Sequence, residues 1–260
     1  MLWKRFFHYN YSIMENTLGN IIGFNILAFI IAYLIGSLNT SILVSKKMMK
    51  EDIRSSGSGN AGATNMARKT GFGAGMLISF IDWTKVTLTA FIFWILKTQI
   101  KHGFDYVYIQ LVAFAVFAGH IWPIFFKFKG GKGVSAFLGF VMAWNVVAGL
   151  LVIIFFWVIV YFVDKISFSS ISMTIFIVFL SLIPWFNNGM LTTIMSPGSG
   201  CYFDCVHFWI TPGFTLLISI LVVVKHRENI KRMIKKEESS FRQSVMKREP
   251  GCKLFKNKKS

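Results

Sequence analysis

The sequence predicts an all-α protein that crosses a membrane several times. Hydrophobic residues make up 54% of its 260 residues and charged residues only 15%, whereas a soluble domain carries roughly a quarter charged residues. The charges are also unevenly placed, because Lys and Arg cluster between long apolar blocks and in the C-terminal tail. An apolar helix of about 20 residues spans a bilayer, so these blocks are interpreted as transmembrane helices.

Five apolar blocks are each long enough for one crossing. They are Ile21–Val44, Gly73–Leu96, Phe104–Phe126, Ser167–Phe186 and Phe208–Val224. A sixth block, Val134–Val163, would form a helix of about 45 Å, well beyond the roughly 30 Å hydrocarbon core. It is therefore either one strongly tilted helix or two crossings, with a short one near residues 134–144.

The positive charges decide between these alternatives. Lys-rich loops follow the first and third blocks, and the positive-inside rule places both loops in the cytoplasm. If the sixth block crosses twice, the basic tail after Lys225 also lies inside, and the loop 187–207, which has no Lys or Arg, lies outside. We therefore predict seven transmembrane helices with a break near Asn145, an external N-terminus and a cytoplasmic C-terminus.

The formal net charge of +17 is compatible with binding to nucleic acid or to a membrane. Positive-inside bias and attraction to anionic lipids explain it without a further assumption, so membrane lipids are the expected partners and nucleic acid is not. The three cysteines show no zinc-site spacing, and no metal or cofactor is predicted. Whether Cys201 and Cys205 form a disulfide is left open.

The segment 52–71 reads DIRSSGSGNAGATNMARKTG and predicts an anion-binding loop. Glycines let backbone N–H groups turn inward around an oxyanion, and hydroxyl groups add donors. A helix that begins after this loop would direct its positive end at the anion. The alternative is a flexible polar linker. The candidate residues are Gly57, Ser58, Gly59, Asn60, Thr64, Asn65 and Arg68.

Two further polar segments are predicted on the same side of the membrane. In 120–133, HIWPIFFKFKGGKG, Gly130 and Gly131 permit close backbone approach and Lys132 offers a mobile charge for phosphate. A nucleotide-binding P-loop is excluded because no Ser or Thr follows Lys132. Near the end of the last block, His226 and Asn229 share one helix face.

Asp82 and Lys85 stand three residues apart inside an apolar block. A buried acid in a membrane helix is costly unless it is paired, and this spacing puts both groups on one helix face. We favour a structural ion pair over a substrate contact.

Together these segments resemble the bacterial acyl-phosphate:glycerol-3-phosphate acyltransferases. The matching text is GSLN at 36–39, DIR-x-x-GSGNAGATN-x-x-R, H-x-x-P-x-F-x-x-FKGGKGV and HRENIKR. The resemblance covers about residues 25–238 and implies seven transmembrane helices. The functional residues that it implies are Ser58, Arg68, Lys132, His226 and Asn229, with Gly57, Gly59, Thr64, Asn65, Gly130 and Gly131 in the anion-binding loops.

The resemblance implies transfer of a fatty acyl group from acyl phosphate to the sn-1 hydroxyl of glycerol 3-phosphate, which yields lysophosphatidic acid and phosphate. This is the first step of phospholipid synthesis, at the cytoplasmic face of the bacterial inner membrane. The alternative is a transporter or flippase of a phosphorylated lipid, which would usually show internal repeats, and none is visible. The oligomeric state is left open, with a monomer as the working assumption.

The expected organisation is an N-terminal extension over 1–20, an acyltransferase membrane domain over 21–238 and a disordered basic cytoplasmic tail over 239–260. Acyl phosphate is already activated, so we expect no covalent intermediate. The resemblance implies that a substrate phosphate accepts the proton, and we assign Ser58 and His226 as hydrogen-bond donors. No histidine has an acid five residues later, the H-x-x-x-x-D pair that is typical of thioester-dependent acyltransferases.

Overall fold

The computed structural model describes residues 2–100, 103–188 and 205–242, with side chains from residue 17 onward and, after the second gap, from residue 208 onward. Every long regular element in these ranges is a helix. The helices are α1 Leu2–Ser37, α2 Thr40–Met49, α3 Ala63–Thr70, α4 Phe72–Ile95, α5 Ile109–Ile121, α6 Val134–Trp144, α7 Val146–Val163, α8 Ile166–Ser181, α9 Pro184–Asn188, α10 Cys205–Lys225 and α11 Arg227–Ile234.

Within the described residues, five helical stretches are long and apolar enough to cross a membrane. They are Thr17–Met49, Phe72–Ile100, Ile109–Phe126, Val146–Val163 and Phe208–Lys225. The helices α6 and α8 are also apolar but shorter. The expectation of an all-helical, multi-pass membrane protein is therefore confirmed.

The first apolar block is interrupted where the sequence reads GSLN. Helix α1 ends at Ser37, and Asn39 caps α2 by accepting a hydrogen bond at Oδ1 from the Ile42 amide at 3.1 Å. Asx residues favour such caps because their side chains replace a missing helical acceptor. The block predicted as one helix over 21–44 is therefore two helices, and the second leads into the loop before α3.

The sixth block is divided at Asn145, as predicted. The Asn145 side chain caps α7 by accepting from the Ala148 amide at 3.0 Å. Its amide group also donates to the Phe186 carbonyl at 3.1 Å. This second bond places the junction of α6 and α7 beside α9, which follows the end of α8.

Contacts at the two ends of the bundle give the direction of each long helix. At one end, which we call the polar end, Lys132 before α6 contacts Asn229 after α10, and Asn229 contacts Ser167 at the start of α8. At the opposite end, Asn25 of α1 donates to the Tyr106 carbonyl before α5 at 2.8 Å. The helices α1, α4, α5, α6, α7, α8 and α10 thus alternate in direction through the bundle.

Helix α5 lies in the centre of the bundle and packs most closely against α1. A Cβ atom added to Gly36 would lie 2.1 Å from the Val116 carbonyl oxygen, and one added to Gly119 would lie 2.3 Å from the Tyr33 carbonyl oxygen. Small residues allow membrane helices to approach at this distance. The outer helices instead direct exposed apolar side chains such as Phe162 and Phe179 away from the bundle.

We expect Gly36→Ala to destabilise the protein by ~1–3 kcal/mol, because the new methyl group overpacks the α1–α5 contact. Gly23→Ala in the same helix is the matched control, since nothing lies within 4 Å of its Cβ position. Thermal unfolding in detergent micelles measures both variants. Equal melting temperatures for the two variants would contradict this account of the helix packing.

Candidate active site

The loop between α2 and α3 is built around the side chain of Asn65. The Asn65 Oδ1 accepts from the Ser58 amide at 3.0 Å, and its Nδ2 lies within 3.1 Å of the carbonyl oxygens of Ile53, Ser56 and Asn60. Asn65 is 2% exposed. Its hydrogen-bonding groups all serve the loop, so it shapes this segment from inside rather than offering a donor at its surface.

Gly57 is required by this arrangement. It adopts a φ of +59°, and a Cβ atom at this position would lie 2.2 Å from Asn65 Oδ1. The left-handed conformation and the close approach both favour glycine. Gly59 also has a positive φ, but only a carbonyl oxygen at 3.8 Å comes near its Cβ position.

Arg54 ties this loop to the second polar segment. Its guanidinium forms an ion pair with Asp52 at 2.6 Å and donates to the carbonyl oxygens of Phe126 and Lys129, each at 2.9 Å. These contacts occupy the guanidinium within the protein. Of the two arginines in the segment, Arg68 is therefore the one left to face a ligand.

The glycines of the second segment pack against the end of α5. The Gly130 and Gly131 amides donate to the carbonyl oxygens of Ile121 and His120, each at 3.2 Å. Added Cβ atoms would lie 2.1 Å from the His120 carbonyl oxygen and 2.4 Å from His120 Nε2, respectively. The close backbone approach predicted for these glycines is thus made to α5, where it fixes the position of the adjacent Lys132.

Lys132 projects from this loop toward the last two helices. Its ammonium group donates to Asn229 Oδ1, and Asn229 Nδ2 donates to Ser167 Oγ and to Glu238 Oε1, the latter at 2.9 Å. Burial lowers the pKa of Lys132 to about 8, against the opposing influence of Glu238, while Arg232 and Arg68 lower it further. The lysine is therefore held cationic in neutral solution, but with little margin.

Glu238 supplies the negative charge in this cluster. Its carboxylate accepts from Ser167 Oγ at 2.6 Å, from Asn229 Nδ2 at 2.9 Å and from Arg232 Nε at 3.0 Å. Burial alone would raise the pKa of Glu238, but these hydrogen bonds lower it overall. An ionised Glu238 thus orients Asn229 and offsets part of the buried positive charge.

His226 lies at the junction of α10 and α11 and is 2% exposed. Its Nδ1 lies 2.7 Å from the Val222 carbonyl oxygen, which can only accept, so the ring proton is on Nδ1. Burial, followed by the nearby Lys132 charge, lowers the pKa of His226 to about 4. The neutral ring therefore presents Nε2 as an acceptor, whereas the sequence had suggested that His226 donates.

Arg68 extends from α3 and meets the C-terminal segment. Its Nη2 donates to Ser239 Oγ at 2.9 Å, while its Nε is buried without a hydrogen-bond partner among the described residues. Burial is the largest influence on its pKa and lowers it, but an arginine remains charged in proteins. Arg68 thus retains an N–H donor for a ligand.

One cavity of about 280 Å³ brings these groups together. Of the twelve residues predicted for the site, eight line it: Ser58, Asn60, Thr64, Asn65, Arg68, Lys132, His226 and Asn229. The remaining four are the glycines 57, 59, 130 and 131, which lie behind it and shape its two loops. The role in phosphate binding expected for these glycines stays a prediction, and the structure adds close contacts of Gly57 with Asn65 and of Gly130 and Gly131 with His120.

The other part of the cavity is apolar. Its wall consists of aromatic and aliphatic side chains from α4, α6, α7 and α8 together with one from the C-terminal segment. They include Phe72, Met76, Phe80, Trp83, Leu138, Ile153, Phe156, Trp157, Met173 and Phe241. The cavity therefore joins a basic, polar end to an apolar chamber, the shape expected for an amphipathic anion with a hydrocarbon chain.

Comparison with known proteins shows to which family a chain with this cavity belongs. A profile of the family described as "Glycerol-3-phosphate acyltransferase" matches residues 26–236. The glycerol-3-phosphate acyltransferase of Mycoplasma mobile is 38% identical over 225 residues, which cover 84% of this chain and 93% of that protein. That of Staphylococcus haemolyticus is 34% identical over 221 residues, covering 82% and 96% of the two chains.

The chain belongs to the glycerol-3-phosphate acyltransferase family. A crystal structure of PlsY (YgiH), an integral membrane glycerol 3-phosphate acyltransferase, in its glycerol 3-phosphate form is similar, with a TM-score of 0.68 and 28% identity over 86% of this chain and 99% of that chain. A second structure shows the same protein in its lysophosphatidic acid form, with a TM-score of 0.65 and 27% identity. The resemblance inferred from the motifs is thus confirmed.

Residues that the sequence places outside the site also contact the cavity of the acyltransferase. The predicted tail begins at residue 239, yet Ser239 contacts Arg68, and the Phe241 ring packs 6.0 Å from Phe72 and 5.9 Å from Trp157 between ring centroids. The Phe241 amide donates to the Asp164 carbonyl at 2.8 Å. Residues 239–242, which the sequence assigns to the tail, thus have contacts with the wall of the cavity through Ser239 and Phe241.

Two signals in the sequence could have pointed to the missed residues. Ser167 is the first of several hydroxyl residues in its block, and Glu238 is an acid within a strongly basic segment. Neither is decisive without the fold, because only the fold brings Ser167, at the start of α8, to Glu238, which follows α11. The part of the predicted tail after residue 242 lies outside the described residues.

We expect Gly57→Ala in this acyltransferase to lose most of its activity, because the methyl group strikes Asn65 and the left-handed conformation costs roughly 1–2 kcal/mol. Gly59→Ala is the control, since it meets the same backbone cost with open space at Cβ. Turnover per folded molecule is the measurement. If both variants lose equal activity, the Asn65 contact is not the reason for glycine at 57.

A second expectation concerns pH. The sequence assigns phosphate binding to the Lys132 charge, and this charge is lost as pH rises through about 8. Since kcat/KM reports groups of the free enzyme, kcat/KM for glycerol 3-phosphate should fall above that pH. Lys132→Arg should shift the fall to higher pH, because guanidinium does not deprotonate there. A wild-type profile that stays level well beyond this range would contradict the assignment.

Proposed function

We propose that this glycerol-3-phosphate acyltransferase takes its acyl group from an acyl phosphate and transfers it to the sn-1 hydroxyl of glycerol 3-phosphate. The observation that carries this proposal is the single cavity with basic anion-binding loops at one end and an apolar chamber at the other. Both substrates would place an anion at the polar end, and the acyl chain of the donor would occupy the chamber. The product, lysophosphatidic acid, has the same amphipathic form.

The polar groups divide into two sets in this proposal. Lys132 and the groups around it bind the phosphate of glycerol 3-phosphate, with Asn229 orienting the ammonium group through its hydrogen bond. Ser58, Thr64 and Arg68 face the phosphate of the donor, supported by the N-terminus of α3. Charge-assisted hydrogen bonds of this kind contribute roughly 1.5–3 kcal/mol each.

The reaction is then a direct acyl transfer. The substrate hydroxyl oxygen attacks the acyl carbonyl carbon, a new ester C–O bond forms, and the C–O bond to the donor phosphate breaks. The hydroxyl proton passes to a substrate phosphate, and inorganic phosphate leaves with the bonding electron pair. The His226 Nε2 acceptor would orient the hydroxyl, because its low pKa makes it a weak base at neutral pH.

The proposed membrane topology has seven crossings, with the N-terminus outside and the polar end in the cytoplasm. The alternating helix directions and the Lys- and Arg-rich loops of the polar end support it. Helix α6 would be the short crossing, since 11 residues reach only about 16 Å. In a bacterium the membrane would be the inner (plasma) membrane, with the site open to cytoplasmic glycerol 3-phosphate.

The proposal predicts turnover by the purified full-length chain with palmitoyl phosphate and none above background with acyl-CoA or acyl carrier protein thioesters. A phosphate leaving group gains from donors that a thioester sulfur does not use. Added inorganic phosphate should inhibit as a product. Efficient turnover with acyl-CoA, or indifference to phosphate at concentrations that saturate such sites, would count against the donor assignment.

The topology predicts which cysteines a membrane-impermeant thiol reagent reaches in intact spheroplasts. Cys201 and Cys205 are expected outside and Cys252 inside, although Cys201, Cys252 and the Cys205 side chain lie outside the described parts of the structure. The outer pair should react, after mild reduction if they form a disulfide. Cys252 should react only after permeabilisation, and its labelling in sealed cells would overturn the seven-crossing arrangement.

A further inference from the structure

A cluster of buried polar side chains lies beneath the two anion-binding loops. We call Thr40, Asp82, Lys85 and His120 the polar hub. The Asp82 Oδ1 accepts from Thr40 Oγ1 at 2.8 Å and from Lys85 Nζ at 3.0 Å, and lies 3.5 Å from His120 Nδ1. Lys85 Nζ also lies 3.3 Å from His120 Nδ1. The hub thus joins α2, α4 and α5 through one carboxylate.

The hub fixes the break between α1 and α2. Lys85 Nζ lies 3.4 Å from the Gly36 carbonyl oxygen and 3.3 Å from that of Leu38, which are acceptors left over at the end of α1. The next residue, Asn39, places its Nδ2 3.4 Å from the Ala61 carbonyl oxygen. Through this break the hub contacts the loop that contains Ser58.

The hub reaches the second loop through His120. The His120 carbonyl accepts from the Gly131 amide at 3.2 Å, and the ring Nε2 faces the Cα of Gly131 so closely that a Cβ there would lie 2.4 Å away. The same Cβ would lie 2.9 Å from the Ala61 carbonyl oxygen. His120 therefore sets where Gly131, and with it Lys132, sits against the first loop.

A buried ion pair at such a position contributes little to the stability of the fold. Buried pairs can often be exchanged for apolar residues without loss of stability, and Asp82 and His120 are only 1% and 3% exposed. Both residues also border the cavity, but the Asp82 Oδ1 is already shared among three partners. Their contacts run to backbone and side chains that hold the loops, which is the arrangement expected of supporting groups.

We propose that His120, held by Asp82 and Lys85, is a positioning residue that sets the geometry of Lys132 and thereby the affinity for glycerol 3-phosphate. The proposal rests on the assignment of Lys132 to the acceptor phosphate made above. His120 is not a catalytic residue in this account, because it acts on the substrate only through Gly131 and Lys132.

The main test is His120→Asn. The short amide retains a polar group toward Asp82 and Lys85 but removes the ring edge that supports Gly131. We expect the KM for glycerol 3-phosphate to rise roughly tenfold, since small displacements of a binding group have effects of this size. The KM for the acyl phosphate should stay near wild type. Calorimetric titration with glycerol 3-phosphate alone should show the same loss of affinity.

Thr40→Val and Asn25→Ala complete the design. Thr40→Val removes one hydrogen bond to Asp82 with little change of side-chain shape. It should raise the KM for glycerol 3-phosphate by a smaller factor than His120→Asn. This variant keeps the proposal testable if His120→Asn does not fold. Asn25 is 8% exposed and ties α1 to the loop before α5 at the opposite end of the bundle. Its Ala variant should lower the melting temperature and leave both KM values unchanged.

Unchanged glycerol 3-phosphate affinity in the hub variants would overturn the proposal. Equal rises in both KM values would also overturn it, because a general loosening of the fold would produce that pattern. Wild-type turnover with acyl phosphate is measured first. If it is absent while glycerol 3-phosphate still binds, the donor assignment fails, and the calorimetric comparison still decides the role of the hub.

Discussion

The cost of holding cations away from water is the constraint on which the site depends. Lys132 and Arg68 lie where solvation is poor, and burial is the largest influence on the pKa of each. Unpaired charges are expensive in such surroundings. The protein offsets this cost with one carboxylate, that of Glu238, and with the side-chain amide of Asn229. The cluster therefore keeps an excess of positive charge that a phosphate can neutralise.

This requirement explains why the site is assembled from so many distant segments. Glu238 comes from the C-terminal segment, Ser167 from the start of α8, and Lys132 from the loop before α6. The polar groups that meet around Lys132 therefore lie near the ends of their helices. Polar side chains further along the helices have partners of their own, such as Asp82, which pairs with Lys85, and Ser170, which donates to the Ile166 carbonyl, because an unpartnered polar group within a membrane is costly.

Three glycines of the polar segments have a packing role in this protein. Gly57 makes room for Asn65, whereas Gly130 and Gly131 let the second loop lie against α5. Close backbone contact is what makes each loop rigid, and a rigid loop loses little conformational freedom when an anion binds. Preorganisation of the two loops therefore explains their glycines as well as direct contact between the glycine amides and an anion would.

The class of protein, the break at Asn145 and eight of the residues that line the cavity could be predicted from the sequence, because hydropathy and polar motifs are local properties. Three features could not be predicted in this way: Asn65 holds its loop together from inside, the His226 ring directs Nδ1 at the Val222 carbonyl, and Ser239 and Phe241 line the cavity. Those facts depend on which backbone carbonyl or side chain lies opposite each group. Such contacts join residues far apart in the chain, and no local pattern of residues specifies them.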